Sequence, residues 1–207
     1  MINLFRKIRK DMFKKKSFLS YLLYAIGEIV LIVVGILLAL YLQNKNEEKK
    51  IEKNVSTSIN MLKDEIMTNK QSINRVKDYH IMVRDSIDAM DTPKNEEDID
   101  NTLSFWRGMQ TPRLQNAAFQ TSIQSGVGKE IHPELLKSLN ALYTYQDSYN
   151  AFGTQATQIF FNADFTDYSQ FKRIMTSIGM TMTDLYWYER ELTEMFDYNI
   201  RQINSLY

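Results

Sequence analysis

The chain has 207 residues with three prolines, seven glycines and no cysteine, so no disulfide framework and no thiolate site is available and any folded part rests on its core alone. Its 25 basic and 25 acidic residues cancel, but unevenly: seven basic residues and one acid precede residue 18, whereas 18 basic and 23 acidic residues follow Leu42. The later part is therefore mildly acidic, which argues against nucleic acid as a partner.

The first element is an apolar run at residues 18–42 whose one charged side chain is Glu28. At ~1.5 Å rise per residue it makes roughly 37 Å of helix, enough to cross a ~30 Å hydrocarbon core with some tilt. The basic residues ahead of it (Arg6, Lys7, Arg9, Lys10, Lys14, Lys15, Lys16) predict a cytoplasmic tail at 1–17 and place everything after Leu42 across the membrane. That tail suits anionic lipid head groups, or serves topology alone. A cleaved signal peptide is the rival reading, but the run ends Ala39-Leu40-Tyr41-Leu42-Gln43, bulky where a peptidase needs small residues. No later segment holds 18 apolar residues in a row, so a single-pass anchor with an external C-terminal domain is expected.

A charged side chain at mid-span costs about 2.5–3.5 kcal/mol on insertion scales. On a helix Glu28, Ile32, Gly35 and Ala39 fall within an arc of roughly 60°. Gly35 and Ala39 form a small-xxx-small pair that lets two helix backbones approach closely. The carboxyl and the smooth face point the same way, so this face is expected to bind a partner helix. A merely tolerated acid is the second reading. Proton work is the third, and the span holds no second carboxylate, imidazole or amine to relay with.

Beyond Leu42 the chain turns polar without a helix breaker. Apolar spacing then alternates four and three through Val55, Ile59, Leu62, Ile66, Asn69, Ile73, Val76, His80, Val83, Ile87 and Met90. This is a heptad seam, interrupted by Asn69 and His80. Lys63, Lys70, Lys77 and Arg84 line its e positions, and Glu65 at g can pair with Lys70 of a parallel partner. A parallel coiled coil and the first helix of an antiparallel bundle are both open. Met61, Met67, Ile81 and Met82 widen the apolar face and favour the bundle.

Pro93 predicts a stop near Asp91-Thr92. The acids Glu96, Glu97, Asp98 and Asp100 lack the spaced ligands and glycine of a calcium loop, and read as helix N-terminal carboxylates ahead of a short helix over 98–107. A helix over 114–124 should end at Ser125-Gly126, Gly126 supplying the left-handed cap. Another should start at Pro133, with Leu135, Leu139, Leu142, Tyr149 and Gly153 on its buried face. Phe160, Phe161, Phe165, Tyr168 and Phe171 crowd a less regular region around 164–169. Gly179 is expected to separate that region from a last helix over 183–205, with Leu185, Tyr188, Leu192, Met195, Phe196, Ile200 and Ile203 inward. No strand is expected.

His80 and His132 are the only imidazoles, and no spacing motif joins them to carboxylates in a zinc set. His80 reads as a polar seam residue that fixes register. Neither a Gly-x-Ser-x-Gly nor a Ser-x-x-Lys motif is present, and no cofactor, metal or catalytic residue is expected. Tyr186, Trp187 and Tyr188 line a ligand cleft on one reading and pack the core with an exposed rim on the preferred one.

The stretch Tyr24-Ala25-Ile26-Gly27-Glu28-Ile29-Val30-Leu31-Ile32-Val33-Val34-Gly35-Ile36-Leu37-Leu38-Ala39-Leu40, then Gln43-Asn44-Lys45-Asn46-Glu47, follows the basic Phe5-Arg6-Lys7-Ile8-Arg9. Over about residues 1–47 this resembles an uncharacterised family of small single-pass membrane proteins of Bacteroidota. A weaker likeness covers 118–143, and the chain departs at Tyr41 and Lys45, where relatives often carry a polar residue and a tryptophan. The resemblance implies a bacterial inner-membrane protein with a periplasmic helical domain, and it supplies no activity.

The sequence thus predicts an all-α protein: a tail at 1–17, a transmembrane helix at 18–42 and a helical bundle at 43–207, its first long helix continuing from the span. The expected function is a non-enzymatic interaction protein that contacts another membrane or envelope protein, or itself, through the membrane helix. The alternative is a ligand-sensing domain that signals through a partner.

Overall fold

A computed structural model of the chain describes residues 18–91, 93, 98–162 and 168–207. The basic tail, Glu96, Glu97 and Phe165 lie outside the described residues. Among those described there is no strand, and the all-α expectation is met.

Helix α1 spans Phe18–Ala89, as a chain without Pro or Gly between residues 36 and 89 allows. The chain divides into two compact units at Lys53/Asn54, so α1 contributes to both. In the first unit α1 is the one described helix long and apolar enough to cross a membrane, and none of the described residues buries its apolar stretch.

The second unit, Asn54–Tyr207, is built on three long helices: the later part of α1, α4 (Pro133–Phe161) and α5 (Phe171–Leu206). Between α1 and α4 lie two shorter helices, α2 (Ile99–Thr102) and α3 (Ala117–Gln124). Cross-helix bonds give the topology. Lys63 pairs with Asn204, Lys70 with Asp197 and His80 with Glu189, so α1 and α5 run antiparallel. Glu65 meets Tyr143 and Asn69 meets Gln146, so α1 and α4 run parallel.

Seam residues Ile59, Leu62, Ile66, Asn69, Ile73, His80 and Val83 are buried, while Val76, Ile87 and Met90 are half-buried. Their cover comes from α4 (Leu135, Leu139, Leu142, Tyr149) and α5 (Met182, Leu185, Leu192, Phe196) of the same chain. Each fully buried Leu or Ile contributes roughly 1.5–3 kcal/mol of transfer free energy. With its own helices filling the seam, α1 needs no parallel coiled-coil partner. Lys70 is taken by Asp197, and Glu65 turns inward instead of pairing with Lys70 of another chain.

Several local expectations need correction. Met61, Met67 and Met82 do not widen the buried face; they are exposed at b and c positions, turned away from the seam, and Ile81 is half-buried. The short helix covers only Ile99–Thr102, and α3 starts at Ala117, not at Leu114. Residues 103–116 between them form an irregular strap that buries Met109 and Leu114. Gly179 does not separate two elements: α5 runs through it. A helical glycine costs about 1 kcal/mol against alanine, and burial of Met175, Ile178 and Met182 around it outweighs that. Phe160 and Phe161 belong to regular α4.

Candidate functional site

Two sets of polar groups stand out, one in each unit. In the apolar helix, Glu28, Ile32, Gly35 and Ala39 are all exposed. A Cβ placed on Gly35 would meet nothing within 4 Å, and the same holds at Gly27. The face that carries the carboxyl is thus open along its length.

In the bundle the polar groups are enclosed. Glu65 on α1 accepts hydrogen bonds from the backbone N–H groups of Ala118 (2.8 Å) and Phe119 (3.4 Å) and from the Tyr143 hydroxyl (2.8 Å). Those two N–H groups lie in the first turn of α3, where a helix leaves donors unpaired. Asn116 at the N-cap makes no side-chain cap bond, so Glu65 caps α3 from another helix, with its negative charge at the favourable dipole end. The Tyr143 ring stacks on Phe119 at 4.4 Å and closes the layer.

The strap is held by side chains reading its backbone. The Tyr79 hydroxyl accepts from Arg107 N–H and donates to the Gly108 carbonyl, both at 2.8 Å. The Asn150 amide pairs with both the N–H and the carbonyl of Leu114, and the Asn69 amide does the same for Gln115. Gln146 adds a second donor to the Gln115 carbonyl. A buried backbone must find partners somewhere. Here the α1 and α4 side chains supply what a neighbouring strand would. Gly153 on α4 admits the strap, since a Cβ there would stand 3.1 Å from Thr111 Cβ.

The third layer is the most enclosed. His80 and Glu189 are fully buried, with Nδ1 2.8 Å from Glu189 Oε1 and Nε2 2.8 Å from the Met109 carbonyl. The Tyr149 hydroxyl donates to the same Oε1 at 2.9 Å, and Glu189 Oε2 has no partner among the described residues. Burial, then the neighbouring carboxylates Glu65 and Glu189, push the Tyr143 and Tyr149 phenols far above the usual tyrosine range.

These layers include residues that the sequence reading passed over. Gln146 and Glu189 sit in register with the buried stripes of α4 and α5, and that register was the available signal. Glu65 lay one position off the seam. His80 does occupy the seam, but its bonds run to α5 and to the strap instead of setting a coiled-coil register. Tyr188 packs against Tyr145, Tyr149 and Phe152, while Trp187 is exposed under Arg190. This is aromatic packing with an exposed rim.

An open cavity of about 1140 Å³ lies between residues 111–117, at the end of the strap and the start of α3, and α4, with Arg113, Asn116, Asp147, Thr154 and Phe161 on its walls. No cluster of three or more histidine and carboxylate groups able to hold a metal occurs among the described residues. Comparison with protein families, with curated proteins and with solved structures finds no match for this chain.

Proposed function

We propose that this chain is a membrane-anchored, non-enzymatic interaction protein, a subunit or accessory of a cell-envelope complex. In this reading α1 crosses a bacterial inner membrane once, with the basic tail in the cytoplasm and the bundle in the periplasm, and its Glu28/Ile32/Gly35/Ala39 face binds a helix of another membrane protein or of a second copy. The observation that carries the reading is the unfilled Glu28 face. A carboxyl at mid-span has no partner among the described residues of its own chain, on a face smooth enough for close approach. The basic tail and the apolar span support the topology.

The test is gentle extraction of the tagged full-length protein from its native membrane, followed by identification of co-eluting proteins. A stoichiometric second protein, or a homo-oligomer that crosslinks through residues 28–39, is the expected result. A monomer with lipid alone around the span would end the proposal. A second reading, ligand sensing by the bundle, is favoured by the cavity of about 1140 Å³ beside the strap. Thermal shifts of the full-length protein against a broad panel of polar metabolites decide it, flat curves counting against a sensor.

A further inference from the structure

We infer that the cavity beside the strap binds a short zwitterionic peptide, Arg113 taking its carboxylate and Asp147 its ammonium. This rests on the second reading above, that the bundle takes a ligand, and supplies that ligand's class; the membrane helix plays no part in it. Of the side chains around the cavity only these two are charged, one of each sign. They line one space without pairing. Among the described residues neither takes part in an ion pair, and the Arg113 guanidinium has no hydrogen-bond partner. Asp147 has one long contact, 3.5 Å from the Asn116 amide nitrogen. Both side chains belong to exposed residues, open to a molecule that enters from solvent.

The groups beside them divide donors from acceptors in the same way. On α4 the Thr154 and Thr157 hydroxyls donate to the carbonyls of Asn150 (2.9 Å) and Gly153 (2.7 Å). Each hydroxyl has one hydrogen, so any further bond these oxygens make is as acceptors. With Asp147 they make the α4 wall a row of acceptors, suited to an ammonium and to peptide N–H groups. The strap wall carries the guanidinium, whose planar fork of N–H donors fits a carboxylate. Capture of a peptide's terminal charges by such groups is an established mode of recognition.

Other ligand classes fit worse. A phosphate would gain Arg113 but meet Asp147 and hydroxyl oxygens with no hydrogen left to give. A metal ion or polyamine would gain one carboxylate and be repelled by Arg113, and no metal-holding cluster occurs among the described residues. A neutral sugar would leave both charges unanswered. The strap's register sets the length. Leu114, next to Arg113, is bonded to Asn150, and Asn150 stands within one helical turn (~5.4 Å) of Asp147. A peptide residue adds at most ~3.6 Å, so about two to four residues bridge the two charges once side-chain reach is added. A cavity of about 1140 Å³ has room for them.

The experiment is calorimetric titration of the full-length protein in detergent micelles with dialanine, trialanine and tetraalanine, each free at both ends. At least one should bind with a Kd of about 1 mM or tighter. N-acetylation or C-amidation of that peptide should weaken it about tenfold, the loss of one hydrogen bond between charged groups. Arg113→Gln should abolish discrimination against the amide while keeping that against the acetyl form, and Asp147→Asn should do the reverse. Both residues are exposed, so the variants should keep the wild-type thermal unfolding midpoint. No binding by any of the three peptides, or capped forms that bind as well as free ones, overturns the inference. Cap discrimination that survives both substitutions puts the peptide elsewhere and overturns it too. Inorganic phosphate and sucrose are titrated alongside. If either binds while the peptides do not, the bundle still takes a ligand and only the assigned class falls. Silence from every probe, with flat thermal shifts across the metabolite panel, removes the ligand reading itself.

Discussion

Glu65 in the bundle and Glu28 in the apolar helix are carboxylates in opposite settings, one buried and one exposed. Glu65 is enclosed by its own chain, which supplies two backbone donors and a phenol to it. Glu28 has no such donors, and every residue of its face is open. Burying a charge is costly unless hydrogen bonds compensate. The bundle therefore has no need of a partner to satisfy Glu65. On the proposed membrane reading, the span has that need at Glu28. The same contrast holds for apolar groups: Leu142 is sealed by other side chains of the chain, whereas Leu38 is exposed.

The largest test of this contrast uses one chemistry in two places. Leu142→Ala should cost the bundle about 2–5 kcal/mol in denaturant unfolding, as buried leucine truncations do. Leu38→Ala should leave the unfolding curve of the bundle where it was. Equal losses in the two variants would erase the distinction between the units.

Next in size is the trans cap. Glu65→Ala strands two N–H groups of α3 and the Tyr143 hydroxyl, and should lower stability by about 3 kcal/mol, the range for bonds to a charged acceptor. Glu65→Gln keeps one acceptor oxygen and should recover part of that loss. Faster amide exchange at Ala118 and Phe119 locates the damage, whereas unchanged exchange there would remove Glu65 as the cap.

A pH effect follows from Tyr143 and Tyr149. Burial, reinforced by Glu65 and Glu189, raises both phenols in the folded state above their unfolded value of about 10. The neutral phenol is what the fold holds, so this stability is fully present below about pH 10 and drains as pH climbs beyond it. The slope is about 1.4 kcal/mol per pH unit for each tyrosine. Tyr143→Phe should lower the alkaline slope of unfolding free energy by about 1.4 kcal/mol per pH unit, and an unaltered slope would mean that its phenol ionises as freely in the fold as in the open chain.

Much of this architecture is readable in the residues. The apolar run, the uninterrupted passage into the heptad seam, Pro133 at a helix start and Gly126 (φ 80°) at a helix end all follow from local chemistry. The strap is not readable, because its backbone bonds go to Tyr79, His80, Asn69 and Asn150, residues 28 to 46 positions away. Local propensity carries no trace of such partners. Glu189 and Gln146 hide for a related reason: a polar residue on an apolar stripe signals burial, but its partner is set by how helices pack. Gly179 misleads in the other direction, since tertiary packing absorbs the local cost of a glycine in mid-helix.

The smallest expected effect bears on the other half of the comparison. Small-residue contacts and interhelical hydrogen bonds in membranes contribute about 0.6–2 kcal/mol each. Glu28→Leu removes the carboxyl and Gly35→Leu fills the groove, so each should weaken association of the membrane helix by roughly that amount. Neither should touch bundle stability, because neither residue belongs to the bundle unit, Asn54–Tyr207. Site-specific crosslinking at Ile32, read alongside bundle unfolding in the same preparation, separates the two effects. Reduced crosslinking with unchanged unfolding would put the missing partner of Glu28 outside the chain. Undiminished crosslinking in both variants would mean that lipid and bound water satisfy Glu28, and the contrast between the two carboxylates would then lie in solvation alone.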